Sequence, residues 1–169
     1  MTVNIRISSK MLDKVRADLS RPHLFAAERI GFLYGKLVEG PAPLVMMTGF
    51  EPVADDRYIN DPMSGARIDS QAIRTAMQGV LDRGQGGFHV HMHHWPGRPA
   101  LSKMDVQEIP PVVMALRRVG VAQAHGIVLL HDEQCAAWVW LPRSKHAIAA
   151  HTFSIVGFHM QIMTGESYV

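Results

Sequence analysis

Apolar and polar positions change period several times along this 169-residue chain, and the changes divide it into elements. From Ser8 to about Leu19 the residues Met11, Val15 and Leu19 recur every four positions, the spacing of one helix face. Ser8-Ser9-Lys10 is placed to cap that helix and Arg21-Pro22 to stop it. Strands are predicted at about 28–38 and 43–53, paired as a hairpin across Glu39-Gly40-Pro41, a turn by composition. The stretch from Ala54 to Arg67 is polar, holds Asn60-Asp61-Pro62 and Ser64-Gly65, and reads as a surface loop long enough to suggest a role in binding.

Asp69 or Ser70 then caps a helix to about Arg83, with Ile73, Met77 and Val80 turned inward and the segment from Gly84 to Gly87 ending it. A strand follows at about 87–93. Pro110-Pro111 suits the first turn of a further helix, whose stripe is Val112, Val113, Leu116 and Val119 and whose end is Gly120. Gly126 to His131 and Cys135 to Leu141 alternate as a hairpin across Asp132-Glu133-Gln134. The tail from Ser144 to Val169 admits either a helix or a strand at Phe153 to Met163. The sum is an α/β chain, a mixed sheet flanked by helices in a single domain over residues 1–169.

Charge narrows the partners. Lys plus Arg is 17 and Asp plus Glu is 15, a formal charge of +2, and no basic run exceeds Arg117-Arg118. Phosphate backbones need clustered cations, so nucleic acid is not an expected partner. The longest apolar runs, Gly126 to Leu130 and Ala136 to Leu141, are strand-sized, well short of the roughly 20 residues of a membrane span. Met1 to Ile7 lacks the apolar core of a signal peptide. With one cysteine, Cys135, which cannot form an internal disulfide, a cytoplasmic location is expected.

The chemistry is concentrated in Gly87-Phe88-His89-Val90-His91-Met92-His93-His94. Alternation puts Phe88, Val90 and Met92 on one face of the strand and His89, His91 and His93 on the other. A solvated edge strand would account for one or two histidines; four in six positions, mutually repulsive when protonated, point instead to a metal. A His-x-His pair with an Asp a short loop later supplies three ligands and leaves a fourth tetrahedral position open, the pattern of a catalytic zinc. Ser102-Lys103-Met104-Asp105 provides that Asp, although Ser-x-x-acid is also a helix-capping signature; the two readings are compatible.

His91-x-His93 and Ser102-x-x-Asp105, together with Glu28 far upstream in Glu28-Arg29-Ile30-Gly31-Phe32-Leu33-Tyr34-Gly35, resemble the JAMM (JAB or MPN-plus) metalloproteases over residues 1 to about 141. The gap from His94 to Leu101 is one residue longer than that family's usual seven, and is read as a bulged insertion. The resemblance implies an MPN-like (cytidine-deaminase-like) fold and a Zn2+ ion held by His91, His93 and Asp105. It further implies Glu28 as the base that takes the water proton and Ser102 as donor to the oxyanion. The implied activity is a peptidase or isopeptidase cutting after the C-terminal tail of a ubiquitin-like protein. The size resembles a bacterial member working beside ubiquitin-like conjugation enzymes. A groove beside an edge strand would take the tail by strand addition, with Ala54–Arg67 and Trp95–Leu101 as its candidate lining.

Other readings compete. Glu51, Glu108 and Asp132 are rival carboxylates for the base, and His89 and His94 are neighbouring or surface imidazoles. Cys135 sits in an alternating strand without a basic partner and reads as core, as do the eleven methionines. His125, His131, His146, His151 and His159 have no spacing logic. A cupin-type β-barrel metal protein also presents His-x-His from a strand, but its usual Glu is missing where Gly97 and Arg98 stand. A catalytically silent scaffold of the MPN fold would be expected to have lost ligands.

Overall fold

The computed structural model describes residues 2–94, 98–131 and 134–164. Alternation begins before the first helix: Val3, Ile5 and Ile7 are buried while Arg6 and Ser8 are exposed, making strand β1 (Val3–Ser8). Ser8 then caps helix α1 (Ser9–Leu19), its hydroxyl accepting the Met11 N–H at 3.2 Å. The buried stripe of α1 is Leu12, Val15 and Leu19, with Met11 at its flank.

β2 (Ile30–Val38) and β3 (Leu44–Pro52) form the expected hairpin. After one 3-10 turn at Asp55–Arg57, helix α2 (Ser70–Arg83) starts on Asp69, whose carboxylate accepts the Ala72 N–H at 2.8 Å. It ends on Gly84, at φ 59°, a left-handed position that a residue without a Cβ adopts freely. The remaining elements are β4 (Gly86–His93), α3 (Lys103–Val119), β5 (His125–His131), β6 (Gln134–Trp140), β7 (Ile148–Val156) and β8 (Gln161–Thr164). The tail is therefore built of strands. The expected turn at Asp132-Glu133 lies outside the described residues.

The proline pair does not start α3. Ser102 and Asp105 form a complete capping box there, satisfying two N-terminal N–H groups, so the helix begins at Lys103 with Pro110 and Pro111 inside it. Having no N–H, these prolines leave the carbonyls of Val106 and Gln107 without their usual helical donors.

The sheet runs β1-β3-β2-β4-β5-β6-β7-β8, and β1 also pairs with β7. That last pairing is parallel, from Val3 opposite Ala150 to Ser8 opposite Val156. It closes seven strands into a mixed β-barrel with three helices among the described residues, with more of the chain in strands than in helices. This corrects the expected MPN-like (cytidine-deaminase-like) mixed sheet flanked by helices. An open sheet of that kind keeps two free edges, whereas here β1 takes both partners and joins the two ends.

All seven barrel strands contribute to one apolar cluster, including Ile5, Leu33, Val45, Phe88, Val128, Val139 and Phe153, and α1 adds its buried stripe to it. The opposite faces of β2 and β5 carry Ile30, Phe32, Tyr34 and Ile127, on which α2 and α3 pack. No helix among the described residues is long and apolar enough to cross a membrane.

Candidate metal centre

Every residue of β4 is buried, and alternation divides them between the two layers. Phe88, Val90 and Met92 belong to the barrel interior. His89, His91 and His93 project to the other side, where α2 and α3 lie, and are 3%, 2% and 1% exposed. β2 runs antiparallel beside β4 with Ile30 opposite His91, a register that brings Glu28, two residues before Ile30, level with His93. β5 runs parallel on the other edge and sets His131 beside His93.

Glu28 is fixed through its neighbours. The N–H groups of Ala27 and Glu28 both donate to the Gly65 carbonyl, at 2.8 and 3.1 Å. The Tyr58 hydroxyl accepts from Ile30 N–H at 2.7 Å and lies 3.2 Å from the Ile30 carbonyl, to which it donates. Arg29, buried between them, is ion-paired with Asp55 and donates to the Pro22 carbonyl. A Cβ on Gly65 would come within 3.2 Å of the Glu28 carboxyl carbon, so the absence of a side chain there lets the loop close over the carboxylate. Nothing in the sequence pattern singles out Tyr58 or Gly65, because their partners are more than 25 residues away and their role exists only once the loop has folded back.

Asp105 reaches the histidines from α3. The Ser102 N–H donates to its Oδ2 at 2.7 Å and its own N–H donates to Ser102 Oγ at 3.1 Å, which locks the first turn. Its Oδ1 lies 3.5 Å from His91 Nε2 and its Oδ2 lies 3.4 Å from His93 Nε2. The two Nε2 atoms are 3.1 Å apart, and Glu28 Oε1 is 3.7 Å from His93 Nε2. Glu28, His91, His93 and Asp105 therefore converge from β4, α3 and the start of β2. Ser102 lines the same pocket, and its hydroxyl, accepting from the Asp105 N–H, keeps an O–H donor.

The electrostatics follow from burial. Desolvation raises the Glu28 carboxyl above the ordinary range, opposed by the charges of His91 and His93 and assisted by Asp105. Burial also works against ionised Asp105, but hydrogen bonds from His91 and His93, the charge of His91 and a hydrogen bond from the Ser102 side chain hold it well below the usual carboxylate range. His89, enclosed by Phe32 and His91, is pushed by desolvation down to about 3 and stays neutral.

Ligand atoms of Glu28, His91 and His93 all lie within 4.8 Å of one another, and this group can hold a metal ion. The donor set suits one: two buried imidazole Nε2 atoms and half-buried carboxylate oxygens converge on one side of β4. His89 stands beside the group and His94 is exposed. Of the rival carboxylates, Glu51 accepts from Tyr34 Oη at 3.1 Å and faces Arg83 at 3.7 Å, and Glu108 stands farther along the pocket wall. Asp132 lies outside the described residues.

The group opens into a cavity of about 610 Å³ bounded by α2, α3 and the segment from Ser64 to Ile68. Both edges of β4 are paired, with β2 and β5, so access to the histidines is through this cavity and not along an open edge of their own strand. The loop from Ala54 to Arg67 supplies part of its wall. In the other candidate lining, Trp95–Leu101, residues 95–97 lie outside the described residues. No family model matches the chain, and no curated protein matches it.

Proposed function

We propose that the chain is a zinc-dependent peptidase of JAMM type, with His91, His93 and Asp105 as ligands, Glu28 as general base and Ser102 as oxyanion donor. The observation that carries the reading is the convergence of His91 Nε2 and His93 Nε2, 3.1 Å apart, on the Asp105 carboxylate, whose Oδ1 lies 3.5 Å from the first and whose Oδ2 lies 3.4 Å from the second. Ligands at zinc's usual distances sit roughly 3.3 Å apart at the corners of a tetrahedron. Glu28 lies somewhat farther off, 3.7 Å from His93 Nε2, and in this reading it meets a water beside the ligands.

A bound zinc ion would supply Lewis acidity toward water and toward a carbonyl oxygen. Glu28, raised by burial and pinned to Gly65, takes the proton of the attacking water and returns it to the departing amine. Ser102, held by the capping box on the cavity wall beside Asp105, donates its hydroxyl hydrogen to the oxygen on which charge develops. Asp105 keeps both imidazoles oriented and brings the negative charge that two neutral histidines lack. The proposed substrate is the tail of a ubiquitin-like protein, in maturation or deconjugation.

The closed barrel favours a second reading, a non-peptidase metal protein that works from a barrel interior. Against it, the interior here is filled by Phe88, Val90, Met92 and their neighbours, and the histidines face outward. The test is to load the purified chain with zinc and incubate it with a ubiquitin-like precursor bearing a short C-terminal extension. Cleavage at the tail that disappears in Asp105→Ala supports the peptidase. A zinc-loaded protein that cuts neither this precursor nor unstructured peptides contradicts it.

A further inference from the structure

The cavity beside the metal-binding group is larger than hydrolysis requires. One end holds Glu28, His91, Ser102 and Asp105; beyond it the wall is Ile30, Ile68, Ile73, Ile109 and Val112. Ile73 is the informative one. On α2 the residues committed to the core are Ala72, Ala76, Gly79 and Val80, while Ile73 is half-buried and lines the cavity. Ile68 and Val112 are half-buried in the same way. Branched apolar side chains left partly wet in a concavity continuous with the reacting groups form a place for an apolar part of the substrate.

Gln107 and Pro111 of α3 also stand on the cavity wall. Of the charged residues at the mouth, Arg67 is tied to Asp61 at 2.9 Å, and Glu108 disfavours an acidic side chain there.

We propose that this cavity is a side-chain subsite that selects a large apolar residue, such as Leu, Met or Phe, beside the peptide bond being cut. The proposal rests on the peptidase reading above and gives it a substrate class. A glycine at that position leaves the apolar wall wet, whereas a large apolar side chain covers it, a preference of roughly tenfold to a hundredfold in kcat/KM. A ubiquitin-like tail ending in glycines would then place its large residue on the other side of the bond.

The test uses the zinc-loaded full chain and peptides that differ only in the residues flanking the cleaved bond: Gly, Ala, Leu, Phe or Asp on each side. The expected result is at least a tenfold advantage of Leu or Phe over Gly on one side. Ile73→Trp, or Val112→Phe where the first variant folds poorly, should erase that advantage at unchanged zinc content. A flat series, or an advantage that persists in a folded cavity-filled variant, overturns the proposal. Should no peptide be cut although zinc is bound, the peptidase reading fails and binding decides the subsite. N-acetyl-phenylalanine amide shifting the Ile68 and Ile73 methyl resonances, with N-acetyl-glycine amide leaving them in place, upholds it; equal or absent shifts overturn it.

Discussion

The two faces of β4 have opposite characters although they alternate residue by residue. Inward, Phe88, Val90 and Met92 join a cluster fed by all seven barrel strands and α1, where shape and apolar area decide everything. Outward, His89, His91 and His93 are equally buried yet meet carboxylates, a cavity and the ends of two other elements. Desolvation is common to both sides. Inside it stabilises the fold, and outside it shifts the charge balance of the groups available for chemistry. A strand buried on both faces thus serves as a rigid plate, one side holding the barrel together and the other holding the ligands in place.

That division can be broken one face at a time. The largest effect expected is from His91→Ala with His93→Ala: complete loss of bound metal and of activity, read by metal analysis and peptide cleavage, with the barrel still folded by circular dichroism. Phe88→Ala on the inner face should do the converse, costing about 3–5 kcal/mol in denaturant unfolding while the folded fraction keeps its metal. If Phe88→Ala empties the metal site of molecules that remain folded, the two faces are not separable.

Glu28→Gln keeps the shape and removes the base, so turnover should fall on the order of a hundredfold with metal content and melting temperature near wild type. Ser102→Ala removes the observed cap, at about 1 kcal/mol of stability. If the hydroxyl also serves the oxyanion, turnover falls by roughly a hundredfold at unchanged metal occupancy. A variant that loses stability alone assigns Ser102 to capping.

The smallest effect concerns Cys135, on the inner side, whose thiol is pushed by burial up to about 12. An unfolded thiol ionises near pH 8.5. The folded state therefore holds the proton longer, and the contribution of this group, fully present below that pH, is lost as pH rises toward 12. Alkylation of the native protein between pH 7 and 9 should be slow and limited by unfolding, unlike that of the denatured chain. Rapid native alkylation would place Cys135 outside the closed core.

Much of the local structure was legible. The two capped helices α1 and α2, the β2–β3 hairpin, the histidine strand and the β5–β6 hairpin all announce themselves through period and capping residues, which act over a few positions. Closure was not, because it depends on β1 meeting β7, a contact between chain ends that no local pattern encodes, although Val3, Ile5 and Ile7 alternate plainly. The prolines misled about α3 because a capping box upstream outweighs their preference for a first turn. At the site, His91, His93 and Asp105 could be picked out by residue type and spacing and Glu28 only through the family resemblance, and the structure brings their side chains together. The supports of Glu28, Tyr58 and Gly65, and the place of Ile73 on the cavity wall could not be, since each acquires its role from a partner distant in sequence.

Native mass spectrometry of three proteins, the wild type, Asp105→Asn and Glu28→Gln, tests the central claim most directly. If His91, His93 and Asp105 are the ligands, wild type and Glu28→Gln each carry about one zinc per chain and Asp105→Asn carries little. Zinc retained in Asp105→Asn but lost in Glu28→Gln would make Glu28 the third ligand and contradict the assignment of base and ligand proposed for this site.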